Sequence, residues 1–288
     1  MTKHIKFLIC ARRRREDTQE RYFYEWGNIH VSLMLTTPEV MRVFKRYVQH
    51  YAVSGITNDM VVLPLSKMEW DNMADHWLDG YEDFLTSLHA ESYVRRMQPH
   101  VFGDKEFVLA LTRGSVMYER PGFRSGGIKL VHWLKKRPDI SQAQFNDLWR
   151  ERYAPTFLKA VQDKSLVRKY VRSEQLDLDS KVFKGSLFEI GAVGAYAGVE
   201  ELWFEDVESL AQVREDRAVY DTIRQGMEGF VDMENSFSMV TTERVVYDFV
   251  TSSELSPRPA ILDPDSLEAK VVAQGYCGWN IPKPVQDR

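Results

Sequence analysis

The chain contains two cysteines, Cys10 and Cys277. That is too few for a disulfide framework or a thiolate metal cage, so a reducing, cytoplasmic location is expected. It also lacks any run approaching the roughly 18 consecutive apolar residues of a membrane span. The apolar stretch in "KHIKFLIC" gives way to basic residues too soon to be the core of a signal peptide. Charge of one sign is not in excess either. There are 38 Lys and Arg against 42 Asp and Glu, a formal net charge of -4, so neither nucleic acid nor an anionic membrane is expected as a partner. The one dense basic cluster, Arg12 to Arg15, is narrower than a nucleic-acid surface and reads as a solvated turn after the first strand. No P-loop, GxGxxG after a strand, Gly-x-Ser-x-Gly, His-Glu-x-x-His or Cys-x-x-Cys occurs. Nucleotide, flavin, zinc and serine-hydrolase chemistry all lose support, and no cofactor and no metal is expected. Homo-oligomer formation is left open.

What the chain does contain is a repeat. At a constant offset of 123, Ile5 matches Ile128, Lys6 matches Lys129, Arg14 matches Arg137, Trp26 matches Trp149 and Tyr47-Val48 matches Tyr170-Val171, with no gap between. Further on, "DHWLDGYEDFL" resembles "ELWFEDVESL", pairing Trp77 with Trp203. Such a repeat means two copies of one fold in one chain. Each copy reads as a short apolar strand, a helix begun by Thr18 or by Ser141 with Gln144 as a capping box, and strands around Tyr47 or Tyr170 and Trp77 or Trp203. A second helix follows near 81–97 or 205–228, then a last strand at 105–118 or 236–250. Strand-helix-strand-strand-helix-strand is the split ferredoxin-like unit, with one bare sheet face. Two units burying bare faces against each other give an α+β pseudo-dimer in one chain. The expected divisions are 1–122, 123–250 and an irregular C-terminal arm, 251–288, rich in proline and turn residues.

The residues Ile128-Lys129-Leu130, Pro138, Phe145, Trp149, Ala154-Pro155, Tyr170-Val171 and Leu202-Trp203-Phe204 resemble the EthD-like branch of the dimeric α+β barrel superfamily. That branch's signature helix ends in Trp, three residues, His, Ala, Pro. Tyr153 replaces the signature histidine in the second half. The first half keeps Trp26 and His30 but has Val31 and Ser32 in place of Ala-Pro. The resemblance implies a pocket for a small molecule beside the Trp-xxx-His helix. It also implies a cofactor-independent enzyme, here a lyase (decarboxylase or dehydratase) acting on an aromatic or phenolic compound. The alternatives are a cofactor-free monooxygenase or cyclase of a polyketide-like aromatic, and a haem or small-ligand binding protein with His30 or His132 as axial ligand.

His30 shares a helix face with Trp26 and Tyr22, and a near-neutral imidazole there is either a satisfied core histidine or a general acid-base group. Six of the seven histidines lie in the first half, so the two copies are expected to have diverged, with the larger, polar-lined pocket beside His30. His132, alternating with Ile128 and Leu130, is a second catalytic candidate or a plug between sheets. Tyr47 is a third, or a packing residue. His76 and Tyr153 are candidates for binding substrate. Trp26, Trp77 and Tyr22 are core or aromatic walls, and Arg46 clamps a carboxylate or is an exposed strand charge.

Overall fold

The computed structural model describes residues 3–250 apart from 101, 163, 165, 180 and 192. The expected arm at 251–288 lies outside the described residues. Helix starts follow the local chemistry. Thr18 accepts a hydrogen bond from the Arg21 amide at 3.2 Å, and Ser141 and Gln144 close a reciprocal capping box, which satisfies amide donors that a helix N-terminus otherwise leaves bare.

The first half runs β1 (Ile5–Ala11), α1 (Gln19–Tyr24), a π-helical segment Glu25–His30, α2 (Val31–Leu35), α3 (Pro38–Val43), β2 (Phe44–Ala52), β3 (Asn72–Leu78), α4 (Tyr81–Leu88), α5 (Glu91–Arg96) and β4 (Phe107–Glu119). The second half runs β5 (Ile128–Leu134), α6 (Gln142–Leu148), a π-helical segment Trp149–Tyr153, α7 (Ala154–Gln162), β6 (Lys169–Gln175), β7 (Gly198–Phe204), α8 (Val207–Glu215), α9 (Arg217–Glu228) and β8 (Phe237–Asp248). The eight strands close into one antiparallel barrel in the order β1-β3-β2-β8-β5-β7-β6-β4. The sheets expected to face each other are therefore opposite walls of a single barrel. β2 pairs with β8 (Tyr51 opposite Thr242) and β4 with β6 (Thr112 opposite Gln175). Closure removes the edges that two separate sheets would expose.

Strand alternation divides each strand between barrel interior and helix layer. Leu8, Cys10, Val131, Trp133 and Met239 fill one end of the interior. The other end holds buried charges: Lys129 Nζ lies 2.5 Å and Lys6 close to the Glu201 carboxylate, and Lys6 lies 3.4 Å from Asp75. Two long loops cross between halves. Residues 61–65 reach the second half, where Val61 and Leu63 are buried in its helix-layer core and the Ser238 amide and hydroxyl donate to Pro64 O (2.7 Å) and Leu63 O (2.8 Å). Residues 181–191 reach the first half, where Phe183 joins the core formed by Phe7, Trp26 and Phe84. Among the described residues no helix is long and apolar enough to cross a membrane.

Candidate active site

A cavity of about 320 Å³ lies between the first half's strands and its helices, within the range of small-molecule sites. Its walls are aromatic and apolar: Phe7 from β1, Trp26 from the π-helical segment, Phe44 and Ala74 from β2 and β3, and Phe84 from α4. The loop from the other half roofs it with Leu187, Phe188 and Ile190. Phe188 packs edge-on against Phe7, ring centroids 5.2 Å apart. Gly191 anchors this roof. A Cβ there would come within 2.4 Å of Leu109 and 2.5 Å of Phe107, so only a glycine lets the loop lie this close.

Three imidazoles face this cavity, His30, His76 and His100. His30 and His100 stack with ring centroids 5.7 Å apart and an interplanar angle of 22°, and Phe102 packs against both. His76 stacks on Tyr47 (4.4 Å, 12°) and Phe44 (4.6 Å). Burial disfavours the imidazolium. It holds His76 down at about 3 and His100 at about 4. His30 lies well below its ordinary 6.5 for the same reason, reinforced by His100 and His76 nearby. All three are thus neutral at pH 7. His30 Nδ1, His76 Nδ1 and both His100 nitrogens are buried with no hydrogen-bond partner in the protein. A buried polar atom without a partner costs about 1–3 kcal/mol, which a ligand hydroxyl or carbonyl placed against these rings would relieve. The charged side chains of the lining, Asp104 and Lys105, stand at its partly exposed rim. The lining is therefore mainly apolar, with the three imidazoles, Asn72 and Gln98 as its polar points inside the rim, not polar-lined as expected.

The second half carries different residues at the corresponding places. Across β1 and β3 of the first half, Ile9 faces Ala74, and both line the cavity. Across β5 and β7, His132 faces Glu200, joined at 2.8 Å and at most 1% exposed. Trp149 lies against Gly198, where a Cβ would come within 2.4 Å of its ring, and its indole N–H donates to the Tyr170 hydroxyl at 2.9 Å. Tyr153, standing where the first half has His30, packs on Phe157 and Phe230 with its hydroxyl buried and unpartnered.

Of the sequence candidates, the structure brings His30, Trp26 and His76 together around the cavity and puts others elsewhere. His132 and Tyr153 sit in the second half's helix layer, so His132 is not a plug between sheets. Tyr47 is fully buried behind His76, and its hydroxyl accepts from Gln49 Nε2 at 3.0 Å. Tyr22 is buried beneath Phe102. Arg46 and Trp77 line a small hollow at the charged end of the barrel, where Arg46 pairs with Asp248 at 3.0 Å and lies over the Trp77 ring. Arg46 thus cannot hold a carboxylate in the cavity. Sequence reasoning missed His100, which follows α5 outside any repeated motif, and Phe188, which belongs to the other half's loop. A histidine-rich first half was the available signal for His100.

Among the described residues no group of three or more His, Cys, Asp or Glu is placed to hold a metal ion. Residues 137–234 match the EthD domain family. No curated protein matches the chain. Among solved structures, an anthrone oxidase-like protein superposes with a TM-score of 0.56 at 11% identity, covering 85% of this chain and 94% of that one. A chlorite dismutase variant from Candidatus Nitrospira defluvii gives a TM-score of 0.44 at 10% identity, covering 84% and 92%. At 11% identity the likeness to the anthrone oxidase-like protein is one of fold and says nothing of the reaction.

Proposed function

We propose that the chain is a fused pair of ferredoxin-like units, residues 1–122 and 123–250, in which the first unit holds the active site of a cofactor-independent enzyme for a small aromatic or phenolic compound. The observation that carries this is the cavity itself: aromatic walls around neutral imidazoles with unpartnered nitrogens. The shared element order, and the π-helical segment at the same place in each half, support the fused pair.

A neutral imidazole can take a proton at pH 7, and in a dry cavity that transfer acts at low dielectric. His30 is the base: it accepts a proton from the substrate while the ring system delocalises the developing charge, and a hydroxyl leaves as water after gaining a proton. Within the lyase range, loss of water is favoured over loss of carbon dioxide, because Arg46 is engaged inside the barrel and the lining's own cation, Lys105, stands at the exposed rim. A phenol or a hydroxylated polycyclic ketone fits these walls better than an anion.

A second reading is oxygen-consuming, with the deprotonated substrate itself activating oxygen. The neutral base in an aromatic cavity serves it equally, and the anthrone oxidase-like neighbour has the same fold. Turnover of hydroxylated aromatics under air and under argon separates the two: water loss continues without oxygen, and oxygenation stops. His30→Ala should lower either rate about a hundredfold or more, the scale of one acid-base group, with the fold intact. Undiminished turnover in that variant would remove His30 from the chemistry. A Soret band in the purified protein would favour haem binding instead.

A further inference from the structure

Behind the cavity wall lies a carboxyl group that the reading above does not use. Glu25 opens the π-helical segment and is 6% exposed. Its Oε1 is buried without a hydrogen bond and lies 3.7 Å from His100 Nε2, inside ion-pairing range but beyond a direct hydrogen bond. His100, whose side chain is fully buried, lines the cavity and stacks on His30. The three groups are in succession, Glu25 beside His100 and His100 stacked on His30, and the two histidines line the cavity while Glu25 does not. We propose that Glu25 and His100 act as a second proton-handling unit of this site: His100 is the further catalytic residue, exchanging a proton with the substrate, and Glu25 is the positioning residue that keeps one proton available to it.

This rests on the active-site reading of the cavity and assigns the acid to match its base. When His30 accepts the substrate proton, the departing hydroxyl needs one, and His100, neutral at rest, can give it after drawing the stored proton from Glu25. His100 ends neutral and the hydroxyl leaves as water. The proton on His30 then returns to the Glu25–His100 pair, so no proton is gained or lost over the cycle. Burial pushes Glu25 up to about 7, with Arg21 and Arg14 opposing and Asp17 reinforcing the rise. Burial holds His100 at about 4. Glu25 therefore stores the proton between those values, and its ionisation is what allows His100 to carry charge. The groups facing the pair are Arg14, Asp17 and Arg21 on the Glu25 side and His30 on the His100 side, with His76 beyond. Interacting acids of this kind titrate as a pair.

The test is the histidine titration of the full chain by NMR, in wild type and Glu25→Gln, with no substrate needed. On acidification from about pH 8 to pH 5 the wild type should take up one proton more than Glu25→Gln, and the His100 ring resonances should report the Glu25 titration near pH 7 in the wild type and lose that step in the variant. Glu25→Asp should restore the step, shifted in pH; this arm also guards against a folding defect in Glu25→Gln. A His100 titration curve unchanged by Glu25→Gln would overturn the pair, whatever His30→Ala does to turnover. Loss of the step with full activity in His30→Ala would leave the pair standing and remove the base assignment. Once a substrate is found, Glu25→Gln should move the pH profile of kcat and leave KM within about twofold, a split that a merely structural role would not give.

Discussion

His132 and Glu200 stand directly opposite each other on β5 and β7, 2.8 Å apart and out of reach of solvent. The equivalent facing pair on β1 and β3 is Ile9 and Ala74. In one half a polar pair occupies the space beneath the helices; in the other, smaller apolar side chains leave room for a ligand. Glu200→Ala should cost roughly 3 kcal/mol, because it strands a buried imidazole. The double variant His132→Ile, Glu200→Ala should cost less than the sum of the single variants, since it removes both polar groups. Urea denaturation of the four proteins decides this, and strict additivity would contradict it.

Stability should fall on acidification. His30, His50, His76 and His100 all have folded pKa values pulled below 6.5 by burial, to about 3 for His76 and about 4 for His100. The unfolded chain binds these protons first. Their contribution is complete above pH 6.5 and is lost as the pH falls through the folded values, by up to about 1.4 kcal/mol per pH unit for each histidine. Glu25, raised to about 7, works the other way, contributing fully below pH 4.5 and losing that contribution as the pH rises through 7. Four depressed imidazoles outweigh one raised carboxyl, so the urea midpoint at pH 4 should lie well below that at pH 7. An equal or higher midpoint at pH 4 would show that the imidazoles are solvated.

The roof supplied by the other half should govern escape from the cavity. Phe188→Ala removes edge contacts to Phe7 and Phe107, worth about 1 kcal/mol each. Dissociation of a bound fluorescent phenol, followed by stopped flow, should speed up by about fivefold or more, the factor that one such contact represents. An unchanged rate would mean that the ligand leaves by another route.

Tyr47 supplies a contrast within the same half. Its hydroxyl is tied to Gln49, which also donates to Trp26 O at 3.1 Å and accepts from the Tyr51 hydroxyl at 2.8 Å. Tyr47→Phe should therefore cost about 1 kcal/mol of stability and leave turnover within a few-fold of wild type. A hundredfold loss of activity would return Tyr47 to the catalytic set.

Element order was legible because local signals carry it: the Ser141–Gln144 capping box, strand alternation at Ile5–Ala11 and Ile128–Leu134, and paired tryptophans in both halves. Those signals do not report which edges meet, so the joining of β2 to β8 and β4 to β6 was not readable. The cavity was half legible. His30 and Trp26 share a helix face, and that periodicity is visible in sequence. Whether Arg46 points to the cavity or the barrel depends on strand phase, and one residue of phase reverses the answer. His100 and Phe188 arrive from distant loops, for which no spacing rule exists.

A crystal structure of the full chain soaked with 2-naphthol measures directly where an aromatic ligand binds. The expected result is a ring between Phe7, Trp26 and Phe84, its hydroxyl within hydrogen-bond distance of His30, and no ligand beside Tyr153. A ring lodged in the second half against Tyr153 and His132, or none in the first-half cavity at saturating ligand, would contradict it.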